Sequence, residues 1–182
     1  MLTTSDVRVD AYECVATKLD IRDFSTKNVP PDVKLKILEA ARLTGSGVNY
    51  QHWHFIVVQG NDQMHRLTED STTGEWVVNA NFAVIVLTNP KYGFHLLDAG
   101  RVIQDMQIAA WNFGVGSGIF TGVDLEKMRK DYGIPDNLTP SGVVGFGYPA
   151  RKITGKKKNR KPLAEIVSID KYGNRFDPAK LT

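Results

Sequence analysis

The sequence predicts one α+β or α/β domain, and three observations carry that expectation. Segments of helical period alternate with short apolar segments of strand type along the chain. One apolar run, Ala83 to Leu87, is uninterrupted, as expected of a strand buried on both faces. The stretch from about His95 to Phe113 carries a broad apolar stripe, as a central helix does.

The elements follow in order. Ser5-Asp6 can cap a first helix through Ala11 to about Lys18. Pro30-Pro31-Asp32 opens a second, with proline where a helix tolerates it and Val33, Ile37, Leu38 and Ala41 on one face. His54 to Gln59 reads as a strand, and Asn61-Asp62 cap a short helix through Leu67. In the long helix, Val102, Met106, Ala109, Ala110 and Phe113 form the stripe, and Gly114 ends it from the C′ position. The cluster Gly114–Gly118 reads as a turn. It follows a helix, whereas a dinucleotide fingerprint follows a strand and opens a helix. A short helix follows Asp124, and a strand spans Ser141–Tyr148 until Pro149 stops it. Beyond Ala150 lie a basic segment, a short apolar piece at Leu163–Ile169 and a polar tail.

Bulk properties narrow the class. The 182 residues suit a single domain, and 42% hydrophobic with 24% charged residues fits a globular chain rather than a disordered one. The lone Cys14 excludes an intrachain disulfide framework and a cysteine-rich metal site, and reads as a small buried hydrophobe. The first residues lack the pattern of a signal peptide, and no apolar run approaches a membrane span, so a cytoplasmic protein is expected. The net charge of +3 hides an asymmetry: residues 151–161 hold seven basic residues and no acid, leaving a mildly acidic body.

Three constellations can carry chemistry. In Lys18-Leu19-Asp20-Ile21-Arg22-Asp23-Phe24, two cations four residues apart at a helix end can converge on one anion; the plain alternative is a helix-end lysine and an Arg22 paired with Asp20 or Asp23. Between the second helix and the first strand, Gly45-Ser46-Gly47 with Asn49, Gln51 and Trp53 is richer than a connector needs, and suits a flat ligand with many heteroatoms. The run Lys156–Lys161 reads as a solvated loop or as a phosphate clamp with Arg160 as the bidentate partner. No aromatic interrupts that run, which weakens a nucleic-acid reading. His52 and His54 could share a strand face, but with no cysteine cluster nearby no metal site is expected.

These segments stand in an order that resembles the FMN-dependent nitroreductase family nearly end to end, in a small form without a lid. KLDIRDF resembles the family's RRSxRxF-like segment. Ser46, Asn49, Gln51, Trp53 and Phe55 occupy the places of a PSxxNxQPWxF-like segment. Phe113–Gly116 and Phe120-Thr121-Gly122 fit the turns after the long helix, and VVGFGYP is followed by a K-x-R-x-P-L segment. The resemblance implies a three-layer α/β/α sandwich over residues 1–182, with a mixed, mainly antiparallel sheet. Residues 150–182 would form the basic segment and a domain-swapped tail that wraps the partner. It further implies a homodimer with FMN at the subunit interface, NAD(P)H as reductant and a small-molecule acceptor such as a nitroaromatic or quinone, with no nucleic acid or membrane partner. Alternatives are a flavin-binding protein with little turnover or oxygen-using chemistry, or a nucleic-acid binder through residues 151–161.

By position, Lys18, Lys158 and Arg160 resemble the phosphate-binding cations, and Arg22 the cation at the flavin N1–O2 edge, where it would favour the reduced form. Ser46 and Asn49, with Gly45, Gly47 and Gln51 in the same loop, would reach the flavin of the partner subunit. Thr121 and Gly122 would offer backbone groups near N5 and O4. Hydride passes through N5 in ping-pong turnover, so no catalytic acid or base is required. Several positions depart from the family pattern. Leu19 and Asp20 stand for a basic residue and a serine; Asp20 keeps its place among the cofactor-binding positions, although an aspartate beside a phosphate is unfavourable unless it points away or pairs with Arg22. Gly45 and Gly47 stand for a proline and a serine, and His52 for the proline before tryptophan. Only Asn89–Phe94 separates the second strand from the long helix, which implies an open pocket tolerant of many acceptors.

Overall fold

The computed structural model describes residues 10–153 and 158–181. Helix α1 (Ala11–Thr17) is capped by Asp10, whose carboxylate accepts from the Tyr12 and Glu13 amides; the Ser5-Asp6 cap lies outside the described residues. Next come α2 (Pro31–Leu43), β1 (Trp53–Gln59), α3 (Asn61–Glu69), β2 (Phe82–Thr88) and α4 (His95–Asn112). β3 (Gly116–Phe120), α5 (Leu125–Tyr132), β4 (Thr139–Gly147) and α6 (Leu163–Ile166) complete the order. Helix α3 is entered through Gly60 at φ 85°, so Asn61 and Asp62 lie inside its first turn and do not cap it. Gly114 closes α4 in the left-handed region at φ 71°, as the sequence predicts.

The four strands form one sheet in the order β1-β2-β4-β3, and all three pairings are antiparallel. Among the described residues the expected mixed character survives only in an isolated parallel bridge between Asp20 and Ser117. β2 is buried along its whole length, with Ile85 opposite Ile56 on one side and Val143 on the other. Its side chains alternate between two cores. Phe82, Val84 and Val86 pack with α2 and α4, among Val33, Ile37, Val102 and Met106. Ala83, Ile85 and Leu87 face α3 and α5, among Met64, Leu67, Met128 and Ile134. The result is helix, sheet, helix.

β3 is the element that the sequence does not show. Three of its five residues, Gly116, Ser117 and Gly118, are small and read as a turn. Tertiary packing overrides their low strand propensity. Its register places Gly118 opposite Gly145, where a Cβ would come within 2.8 Å of the Trp76 ring.

Truncating the middle of β2 tests this architecture. Ile85→Ala removes a side chain with no solvent exposure and is expected to cost about 2–5 kcal/mol of unfolding free energy, read as a lowered midpoint in urea.

Candidate functional site

Three segments distant in sequence meet around β3 and the C-terminal half of α4. The first, residues 18–22, leaves α1 extended. The Ile21 amide donates to the Ser117 carbonyl at 2.8 Å. The approach is this close because β3 lacks side chains there: a Cβ on Gly116 would lie 2.7 Å from the Ile21 side chain, and one on Gly118 2.7 Å from the Ile21 carbonyl oxygen. Lys18 turns toward α4, where its Nζ donates to Gln107 Oε1 at 3.1 Å and to Asp20 Oδ1 at 2.6 Å. Arg22 lies over the Trp76 ring, 5.8 Å from its centroid.

Two expectations are corrected here. Lys18 and Arg22 do not form one clamp: in an extended segment residues four apart are about 13 Å apart, whereas on a helix they are neighbours. Asp20 pairs with Lys18 and not with Arg22. The Lys18 side chain is only 11% exposed, so its attraction for the carboxylate is the less screened of the two.

The second segment is the basic one. Lys158 Nζ donates to the Val15 carbonyl of α1. Burial pushes its pKa below the ordinary lysine value, the nearby cations Arg160 and Lys18 push it further, and Asp20 opposes them. Arg160 donates to the Asn159 carbonyl at 2.9 Å. Lys156 and Lys157 lie outside the described residues. The third segment is the end of β3: the Gly122 amide donates to Thr73 Oγ1 at 3.2 Å, its carbonyl accepts from the Thr72 amide at 2.8 Å, and Thr121 is exposed. The buried Nε2 of Gln107 has no hydrogen-bond partner among the described residues, which adds a donor to the set. Donors thus outnumber acceptors, and the arrangement suits a dianionic, oxygen-rich group.

The loop after α2 forms a separate cluster on α4, from Asp98 to Asp105. Thr44 Oγ1 donates to Asp105 Oδ2 at 2.7 Å, and the Gly47 amide donates to Asp98 Oδ2 at 2.9 Å. The two glycines serve this docking. A Cβ on Gly45 would lie 2.7 Å from the Arg101 guanidinium, and one on Gly47 2.5 Å from the Phe94 ring. The left-handed conformations fall instead on Val48 (φ 52°), Asn49 (φ 56°) and Gln51 (φ 47°). Such residues cost on the order of 1–3 kcal/mol each and cluster where function requires them. Ser46 Oγ accepts from the Gln51 amide at 2.9 Å, and Gln51 Nε2 donates to the Asn49 carbonyl at 3.4 Å. Val48, Asn49, Tyr50 and Gln51 are exposed.

Within one chain the loop's grip on Asp98 lies about 13 Å along the helix axis from Gln107, and its second contact, Asp105, lies on the opposite side of the helix from Gln107. A cavity of about 650 Å³ lies between Phe24–Asn28 and Gln59–Asn61 and is lined by none of the sequence-predicted site residues. His52 faces Asp98, with Nε2 3.2 Å from Oδ2, and His54 is exposed on β1. Among the described residues no group of three or more His, Cys, Asp or Glu is placed to hold a metal ion, and no helix is long and apolar enough to cross a membrane. Sequence reasoning missed Asp98, Gln107, Thr73 and Trp76. A signal existed for the first two. Asp98 falls in line with Val102 and Met106, and Gln107 with Ala99 and Ile103, so both stand in the buried stripe.

Comparison with known proteins agrees with this architecture. A model of the nitroreductase family matches residues 15–87 and 70–148. A relative from Methanothermobacter thermautotrophicus, named "Putative NADH dehydrogenase/NAD(P)H nitroreductase", is 32% identical over 152 residues, covering 79% of each chain. One of the same name from Archaeoglobus fulgidus is 31% identical over 149 residues, covering 77% of this chain and 86% of its own. An FMN-dependent nitroreductase from Clostridium difficile R20291 shares the fold, with a TM-score of 0.80 at 20% identity over 87% of this chain and 98% of its own. The chain belongs to the nitroreductase family of oxidoreductases.

The Lys18–Asp20 pair generates a test. Asp20→Asn removes a carboxylate that competes for Lys18 and is expected to tighten binding of inorganic phosphate about two- to fivefold, the size of a partly exposed ion pair. Isothermal titration reads the change; unaltered or weaker binding takes Lys18 out of the anion site.

Proposed function

We propose that the chain is an NAD(P)H-dependent FMN oxidoreductase that reduces nitroaromatics, quinones or related acceptors. One observation carries the reading: Lys18 from the N-terminal segment reaches Gln107 Oε1, and Lys158 of the C-terminal segment, with Arg160 near it, lies close enough to Lys18 for the cations to repel, while Gln107 Nε2 has no partner among the described residues. The donor set fits FMN, whose phosphate is dianionic. When bound, FMN supplies two-electron hydride chemistry through N5, accepting from NAD(P)H and donating to the acceptor.

The protein supplies position and field. Lys18, Lys158 and Arg160 hold the phosphate. Arg22, stiffened against Trp76, is the cation for the N1–O2 edge, where negative charge gathers on reduction. Thr121 and Gly122 serve the N5–O4 edge; the Gly122 amide does so by sharing or exchanging its bond to Thr73. Gly45, Ser46, Gly47, Asn49 and Gln51 form the loop that reaches the cofactor of the partner subunit.

A homodimer is supported by what the single chain leaves uncovered. Leu35 and Leu43 on α2, Leu96 and Leu97 on α4, and Val48 and Tyr50 are exposed, on the helix before the loop, the helix beneath it and the loop itself. In the tail, Leu163, Ile166 and Leu181 are exposed too. This suits a segment that crosses to the partner.

Colour and bleaching test the reading. The purified protein is expected to be yellow, or to take up FMN on reconstitution, to bleach anaerobically with NADH or NADPH, and to recolour with a nitroaromatic or quinone. Failure to take up FMN overturns the proposal; uptake without bleaching by either donor leaves a flavin binder and overturns the activity. Arg160→Ala is expected to weaken FMN about ten- to a hundredfold, the loss of a charge-assisted bond to phosphate, in a fluorescence titration.

A further inference from the structure

We infer that Asp98 is a positioning residue for the loop 45–51, acting through the Gly47 amide and through His52 as its Nε2–H tautomer. The inference rests on the proposed role of that loop at the partner's cofactor. It goes further by naming what holds the loop in shape.

The Asp98 and His52 side chains are 1% and 3% exposed. A buried carboxylate is tolerated only where donors fill its lone pairs. Asp98 Oδ2 accepts from the Gly47 amide at 2.9 Å and faces His52 Nε2 at 3.2 Å, while Oδ1 accepts from Arg101 at 3.4 Å. The other imidazole nitrogen, Nδ1, accepts from the Asn89 amide at 3.4 Å. An Nδ1 that accepts leaves the proton of a neutral imidazole on Nε2, where it donates to Asp98. Both ring nitrogens are thereby satisfied without charging the ring. Tyr92 and Phe94 pack around the ring with centroids at 4.9 and 5.8 Å, which fixes its plane.

Between the two points that Asp98 grips, Gly47 and His52, lie the three left-handed residues of the loop, Val48, Asn49 and Gln51. Strained backbone persists only when its surroundings over-determine it. Within the loop the Asn49 and Tyr50 amides return to the Ser46 and Gly47 carbonyls, which closes a turn but does not attach it to the body. Asp98 makes the polar attachment at both ends, beside an apolar one where the Tyr50 ring stacks on Tyr92 at 4.7 Å. At position 52 the family pattern has a proline, which stiffens by its ring; here a hydrogen bond does the work. Ser46, Asn49 and Gln51 are thus set in one arrangement before any ligand arrives.

Two substitutions at each position give the test. Asp98→Leu and His52→Leu keep bulk but remove the polar link, and are expected to weaken FMN about tenfold or more, the loss of a buried hydrogen-bonded anchor. Asp98→Asn, which keeps an oxygen for Gly47 and His52, and His52→Gln, which can both donate to Asp98 and accept from Asn89, are expected to restore affinity to within about threefold of the parent protein. Such rescue is not expected of bulk packing alone. Independently of flavin, imidazole nitrogen NMR of the unsubstituted protein should show His52 neutral and protonated on Nε2, and the Gly47 amide should exchange slowly. Folded leucine variants that bind FMN as tightly as the parent overturn the inference, as do an Nδ1-protonated His52 or a fast Gly47 amide, and the spectra decide even where Asp98→Leu does not fold. A parent protein that binds no FMN yet shows both spectral signatures overturns the cofactor reading and leaves the positioning role standing.

Discussion

A polar side chain set into the apolar stripe of a buried helix must find partners or weaken the fold, and α4 carries two of them. Asp98 is met by the loop after α2, and Gln107 by Lys18. The same helix packs Val102, Met106 and Ala110 against the sheet. Its core contacts therefore fix its position, and its two buried polar groups transmit that position to the functional segments. Each cluster of the candidate site hangs on a different face of one rigid element.

The sheet contributes by what it omits. Gly116 and Gly118 on β3 leave space for residues 20–22 to lie flat along the strand. This turns Lys18 inward and leaves Arg22 on Trp76. A larger residue at either position would push the segment away and separate Lys18 from Gln107. The glycines of the loop are used in the same way, against Arg101 and Phe94. In both places glycine permits close backbone approach rather than unusual dihedral angles.

The separation of the clusters along α4 gives the quaternary proposal its physical content. A cation-rich half can hold an anionic group but offers few neutral hydrogen-bonding side chains. The loop half offers a hydroxyl and amides but no strong anion site of its own. In the proposed dimer, two copies, each supplying what the other lacks, would form a complete site for a ligand with a dianionic end and a flat polar end. The exposed apolar residues around the loop make that association favourable.

Local pattern alone determined much of this protein. The doubly buried strand, the central helix with its closing Gly114, and the proline-opened α2 follow from period, composition and terminal residues, because those signals act within a few residues. Resemblance in the order of motifs added the family. β3 could not be read from the sequence, since Gly116-Ser117-Gly118 has little strand propensity and becomes a strand only because β4 and segment 20–22 pair with it. The partner of Asp20 depended on whether residues 18–22 were helical or extended, and on how deeply Lys18 was buried. The link from Asp98 to Gly47 spans 51 positions, and only the packing of α4 beneath the loop brings those residues together. Sequence set which residues would be buried; tertiary structure decided which buried polar groups would meet, because hydrogen bonds need positions that no local pattern encodes.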